Sequence, residues 1–131
     1  MKPFILIIGL TILFSCKKEN SNRTPFGNYE GTFQRKMGIT GPVSQVKLTF
    51  SSTDFNGQSQ QPKYPAICRG SFSVNSDRIS FYDACIWTAD FDGSYILDGD
   101  FKIEFKKDSL FLTREYNGIL YYYDTYKLRK Q

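Results

Sequence analysis

The nineteen residues ICRGSFSVNSDRISFYDAC, positions 67–85, decide the fold. Side chains alternate faces with period two along a strand. Cys68, Gly70, Phe72 and Val74 therefore share one face, and Arg69, Ser71 and Ser73 the other. Past a polar turn of Asn75, Ser76 and Asp77, the residues Ile79, Phe81, Asp83 and Cys85 share a face, with Ser80, Tyr82 and Ala84 opposite. Folding Val74 back on Ile79 brings Phe72 to Phe81 and Cys68 to Cys85, so apolar faces and cysteines agree on one register. Opposed Cβ atoms in such a pair lie ~4.5–5.5 Å apart, within small adjustment of what a disulfide needs. The stretch predicts a β-hairpin closed at its open end by a Cys68–Cys85 disulfide.

Working outward toward the start, Lys2 precedes an almost unbroken apolar run over residues 4–14. It is shorter than the ~20 residues a membrane-spanning helix needs, and with Lys2 it reads as a signal peptide of residues 1–15. The run ends in Leu13-Phe14-Ser15-Cys16, which resembles the lipobox of bacterial lipoproteins. That resemblance implies cleavage before Cys16, diacylation of its sulfur with palmitate-class chains, and durable membrane attachment, which takes two or more acyl chains. Residue 17 is Lys rather than Asp, so an inner-membrane retention signal is absent, and the expected location is the outer membrane, facing the periplasm or the exterior. Of the three cysteines, one then carries lipid and two pair in an oxidising compartment. Residues 16–26 read as the lipidated N-terminus and a polar tether, and residues 27–131 as one domain.

Composition narrows the function. The sequence holds no histidine, which excludes a Ser-His-Asp triad, a Cys-His pair and histidine-ligated zinc. The formal net charge of +4 is mild, with acidic and basic residues interspersed; a nucleic-acid partner would want a concentrated basic patch. No cofactor is expected.

The rest of the domain repeats the pattern of the hairpin. Strands are expected over residues 29–37, 43–50, 54–58, 97–105, 110–114 and 119–128. Between them lie breakers at Gly38, Gly41 and Pro42, a loop over residues 57–65, a turn over residues 106–109, and Asn117-Gly118, a strong hairpin signal. Tyr29, Gly31 and Phe33 share a face; Leu97, Gly99, Phe101, Ile103 and Phe105 form the clearest half-buried strand. No segment shows a helical period. About eight locally connected antiparallel strands, whose edges need cover, predict an all-β, up-and-down barrel.

Gly27-Asn28-Tyr29 at the first strand and Lys127-Leu128-Arg129 at the last resemble the Gly-x-Trp opening and closing basic residue of lipocalin-like (calycin-like) proteins, with Tyr29 in place of tryptophan. The lipobox, tether, Gly-x-Tyr-x-Gly-Thr-Phe opening, paired cysteines and closing Tyr-Lys-Leu together resemble small lipoproteins common in Bacteroidota. These likenesses imply the barrel and the anchor, and no particular activity.

Four constellations bear on function. Asp90, Asp92, Asp98 and Asp100 surround two glycines, and such a density of oxygen ligands suits calcium, but the order fails the EF-hand pattern; a turn and a solvated strand face explain it as well. Carboxylate pairs can also hydrolyse glycosides, and these aspartates, or Glu30 with Glu115, are candidates for that role. Trp87, Tyr64, Tyr121 and Tyr123 are candidate ligand-lining rings, and Arg69 a candidate for an anionic group. Tyr122 and Tyr126 fall in phase with Leu120 and Leu128, the expected core. The expected function is thus a non-catalytic, lipid-anchored barrel binding a small apolar ligand or an envelope protein. The alternatives are an accessory outer-membrane lipoprotein with a solid core, or a carboxylate-dependent hydrolase.

Overall fold

The computed structural model describes residues 23–116 and 122–131. The leader, Cys16, the Asn117-Gly118 turn and Tyr121 lie outside the described residues. Eight antiparallel strands follow in chain order: β1 (Gly27–Met37), β2 (Ile39–Phe50), β3 (Asp54–Ser59), β4 (Arg69–Asn75), β5 (Arg78–Asp83), β6 (Gly99–Lys106), β7 (Ser109–Tyr116) and β8 (Tyr122–Lys130). Each pairs with its sequence neighbours, and β8 returns to β1, so the sheet closes into an up-and-down barrel without a free edge. Closure is tight: a Cβ on Gly31 would lie 1.8 Å from the Lys127 carbonyl oxygen on β8.

The hairpin register is the expected one. Val74 opposes Ile79, Phe72 opposes Phe81 and Gly70 opposes Asp83. Cys68 and Cys85 are joined, with Cα atoms 6.3 Å apart. One expectation needs correction: Gly41 and Pro42 do not end a strand. The ladder between β1 and β2 shifts register between Gln34 and Lys36, and the bulge absorbs a proline that lacks an N–H to donate. Gly41 sits in the bulge because a Cβ there would lie 2.6 Å from the Arg35 carbonyl oxygen.

Inward-facing aromatic rings fill the barrel. Edge-on and tilted contacts run Phe72–Phe50 (5.2 Å), Phe50–Phe81 (6.3 Å), Phe81–Phe101 (5.6 Å), Phe101–Tyr126 (5.8 Å), Tyr126–Phe33 (4.9 Å) and Phe33–Tyr64 (5.2 Å) between centroids. Leu48, Ile79, Leu110 and Leu112 pack between them, all buried. Each such ring pair adds roughly 0.5–1.5 kcal/mol beyond the area it buries.

The register also gives the barrel a direction. β1 begins at Gly27 beside Phe50, so the tether enters at the end that carries the short turns 51–53, 76–77 and 107–108. The opposite end carries the long connections 60–68 and 84–98 and the disulfide. There the two connections zip together: the Ala66 N–H donates to the Tyr95 carbonyl at 2.9 Å, and the Leu97 N–H to the Ala66 carbonyl at 3.0 Å.

Candidate functional site

Alternation along β1 puts Arg35 in phase with Tyr29 and Phe33. On β7 it puts Arg114 in phase with Leu110 and Leu112, and on β8 Asp124 in phase with Tyr126 and Leu128. All three therefore point into the barrel. Because β8 lies between β1 and β7, with Asp124 opposite both Arg35 and Arg114, the three form a cross-strand row, arginine–aspartate–arginine, at the loop end. Asp124 is 1% exposed and Arg35 4%.

The Arg35–Asp124 contact is a bidentate fork. Nε donates to Oδ1 at 2.6 Å and Nη2 to Oδ2 at 2.8 Å, the geometry that makes guanidinium–carboxylate pairs strong and directional. Arg114 Nη2 lies 3.7 Å from the same Oδ2. Burial alone would lower the Arg35 pKa; the hydrogen bonds and charge of Asp124 outweigh it and raise it above its ordinary value. Tyrosines enclose the row. The Arg35 guanidinium carbon lies 3.8 Å from the Tyr95 ring centroid, 4.5 Å from Tyr122 and 5.3 Å from Tyr116, and the Tyr116 and Tyr122 rings stack at 4.3 Å. Arg114 lies over Phe101 at 4.3 Å and Tyr116 at 4.7 Å. Burial pushes the Tyr116 hydroxyl up to about 12 and raises Tyr126 well above its ordinary value, so neither is a proton acceptor near neutral pH.

A 3₁₀ turn, Gly93–Tyr95, closes the row from above. Asp92 caps it, accepting from the Ser94 N–H at 2.9 Å, which together with the Ser94 hydroxyl lowers the Asp92 pKa. Ser94 is the hub. Its hydroxyl accepts from Arg35 Nη1 at 2.8 Å. Its carbonyl oxygen accepts from Arg35 Nη2 (3.1 Å), Arg114 Nη2 (3.0 Å) and the Tyr116 hydroxyl (3.0 Å). Arg114 also donates to the carbonyls of Asp98 and Ile96. Chemically this is a set of converging cationic and hydroxyl donors, suited to holding an oxyanion or a carbonyl in place.

The residues singled out from sequence fall elsewhere. Tyr64 is nearest: its ring packs on Phe33 and Tyr95, and its hydroxyl donates to the Pro42 carbonyl at 2.9 Å. Trp87 lies in the connection after β5, where its indole N–H donates to Asp83 at 2.7 Å and its ring meets Phe91 at 5.9 Å. Burial raises the Asp83 pKa, against the lowering effect of that bond. Tyr123 faces outward on β8 with the Lys36 ammonium 5.8 Å from its ring. Arg69 is exposed at the start of β4, beside Asp54 and Tyr82 on an open surface cleft. These residues do not form one surface.

The four aspartates considered for calcium have separate partners. Asp90 takes Lys63 and Thr88, Asp92 caps the 3₁₀ turn, Asp98 accepts from the Asp83 N–H, and Asp100 from the Ser80 hydroxyl. Among the described residues no group of three or more His, Cys, Asp or Glu side chains is placed to hold a metal. Glu30 pairs with Lys47 at 3.3 Å on the outer face, and Glu115 is exposed on β7.

Sequence reasoning passed over Arg35, Arg114 and Asp124 because it weighed only the apolar members of each alternating face. The signal was a charged residue in core phase on three strands that closure makes neighbours.

Fold and site together define a closed, eight-stranded antiparallel barrel with an aromatic core, the Cys68–Cys85 disulfide, and an Arg–Asp–Arg row under its loop end whose Arg35–Asp124 pair is buried. Compared with family models, curated proteins and solved structures, the chain matches none.

Proposed function

We propose that the chain is a non-catalytic, lipid-anchored protein of the outer membrane, lipocalin-like in fold, whose loop end docks an envelope protein. The observation that carries this reading is how its exposed apolar side chains are distributed. Of the six large apolar side chains exposed among the described residues, Met37, Ile39, Val43, Tyr82 and Ile86 belong to the half of the barrel that bears the long connections, with Ile39 85% and Ile86 101% exposed, and Phe26, 62% exposed, lies at the chain entry. Clustered exposed apolar side chains mark interaction sites, and Met37, Ile39 and Val43 share the β1–β2 hairpin at the end away from the chain entry at Gly27. A lipid on Cys16 would hold the short-turn end toward the bilayer and present the other. The disulfide suits an oxidising envelope compartment. The lipocalin-like assignment is supported by strand count and neighbour connectivity.

Between the two expected kinds of partner, the packing favours a protein. Phe50, Phe55, Phe81 and Phe101 are each 1–2% exposed along the barrel axis, and an eight-stranded barrel has an interior just wide enough for its own side chains or one small ligand.

The test has two parts. In the native host, Cys16→Ala should abolish labelling by radioactive palmitate and release the protein from the membrane fraction; retained label would refute the anchor. Photo-crosslinkers placed at Ile39 and Ile86 should give one discrete adduct with an envelope protein, while those at Ser52 and Asp108 give none. Equal adducts from both ends, or recovery of a stoichiometric lipid by native mass spectrometry, would overturn partner docking.

A further inference from the structure

The Ser94 carbonyl oxygen has two lone pairs and receives three donors from three side chains. The row beneath it carries two guanidiniums against one buried carboxylate. The next nearest anion, Asp92, is 3.7 Å from Arg35 with 59% of its side chain in solvent. Arg114 Nε is buried with no hydrogen-bond partner. One end of the barrel thus holds more donors and more positive charge than its resident acceptors satisfy. The resident is held by polar contacts and by the Tyr95 ring but stays within reach of solvent: no residue of the 3₁₀ turn is buried, and Gly93 precedes Ser94 directly.

We propose that this end is an oxyanion site whose built-in occupant is the chain's own Ser94–Tyr95, and that its external ligand is an arylalkyl carboxylate that displaces that pair. The occupant describes the ligand. The Ser94 carbonyl fills the donor cluster, while the Tyr95 ring lies on the Arg35 guanidinium and packs against Phe33 (6.4 Å) and Tyr64 (5.0 Å). Three chain atoms, the Tyr95 N, Cα and Cβ, separate that carbonyl carbon from the ring. A carboxylate joined to a phenol by three methylenes reproduces the spacing and adds what the carbonyl lacks: a full negative charge and a second oxygen for Arg114. Displacement breaks the Ala66–Tyr95 hydrogen bond and the Asp92 cap, and exchanges the Ser94 and Tyr95 contacts with Arg35, Arg114, Tyr116, Phe33 and Tyr64 for those of the ligand. Loosening the occupant should therefore strengthen binding, because apparent affinity scales with the fraction of molecules whose site is open. This inference holds whether or not the chain is lipidated, and its failure would leave the docking reading intact.

The experiment titrates 4-(4-hydroxyphenyl)butanoate, and separately its primary amide, into the disulfide-bonded full chain. Calorimetry gives affinity, and amide resonances of Ser94 and Tyr95 report displacement. The acid should bind saturably and shift those resonances, with the amide at least tenfold weaker. Asp92→Ala/Ser94→Gly, which removes the cap and the hydroxyl contact, should tighten binding of the acid about tenfold. Arg114→Gln should weaken it at least tenfold, and Arg114→Lys should restore part of the loss. Should either Arg114 variant fail to fold, the acid–amide comparison on wild type and on the loosened variant decides. The proposal is overturned if neither of those two proteins binds the acid at millimolar concentrations, or if acid and amide bind alike.

Discussion

At the end where the chain enters, strands meet through turns at 51–53, 76–77 and 107–108, and Ser76 (φ 58°) and Lys107 (φ 54°) adopt the left-handed backbone that tight turns use. At the other end two long connections cross the barrel mouth, pinned by a disulfide, a two-bond zipper and the Arg35–Asp124–Arg114 row. The first end is held by local backbone geometry, in which each turn is independent of the next. The second is held by side chains far apart in sequence, 89 positions in the case of Arg35 and Asp124. Perturbations should therefore stay small and local at the entry end and spread at the loop end.

The largest effect is expected from Asp124→Ala. It strands two guanidiniums beside aromatic rings, and removing one partner of a buried ion pair costs about 3–5 kcal/mol. Urea denaturation should show the midpoint falling accordingly; a loss under about 1 kcal/mol would mean that the row is solvated and does not hold the mouth closed. Next is Cys68→Ser/Cys85→Ser, which releases a crosslink spanning 17 positions and should cost about 3 kcal/mol on the chain-entropy estimate. Combining it with Asp124→Ala sharpens the comparison. If both fix the same two connections, their costs should fall short of additive, because neighbouring groups couple.

How much of this was legible in the sequence follows the same division. Period-two alternation and a hairpin turn are local signals, so the register of Val74 on Ile79 and the cysteine pairing could be read directly. So could the strand order, because every strand pairs with its neighbour. The loop end could not be read this way. Residues 60–68 and 84–98 carry no periodicity, and what organises them is the row beneath. Arg35, Arg114 and Asp124 stood visibly in core phase, but only closure of β8 on β1 makes them partners. The bulge at Pro42, which extends β2 to Ile39, was likewise hidden, because proline and glycine ordinarily end strands.

At the entry end, Ser76→Gly tests the local plan. Ser76 has φ 58°, a conformation that glycine adopts without steric cost. Relief of backbone strain offsets the glycine's greater freedom in the unfolded chain, so the change should stay within about 1 kcal/mol and leave the unfolding slope unaltered. A shift above about 2 kcal/mol, or a change in the resonances of Ser94 or Tyr95, would show that the two ends communicate.

The smallest effect should come from an exposed charge on the loop side. The Lys63 ammonium donates to both Asp90 carboxylate oxygens, at 2.8 and 3.1 Å, and the Thr88 hydroxyl donates at 2.5 Å. These bonds hold the carboxyl down to about 2. An unfolded aspartate titrates near ~3.9. The folded value is the lower of the two, so the contact's contribution is fully present above about pH 4 and is lost as the pH falls through about 2. Asp90 sits in solvent, and salt screens such pairs. The difference in thermal midpoint between the wild type and Asp90→Asn should therefore be slight at neutral pH, shrink toward zero between about pH 4 and 2, and shrink in molar salt at neutral pH. The Asp124→Ala deficit, set by a pair shielded from ions, should survive that salt. If both deficits shrank alike, the buried row would be no better protected than the surface pair, and the contrast between the two kinds of charge at the loop end would fail.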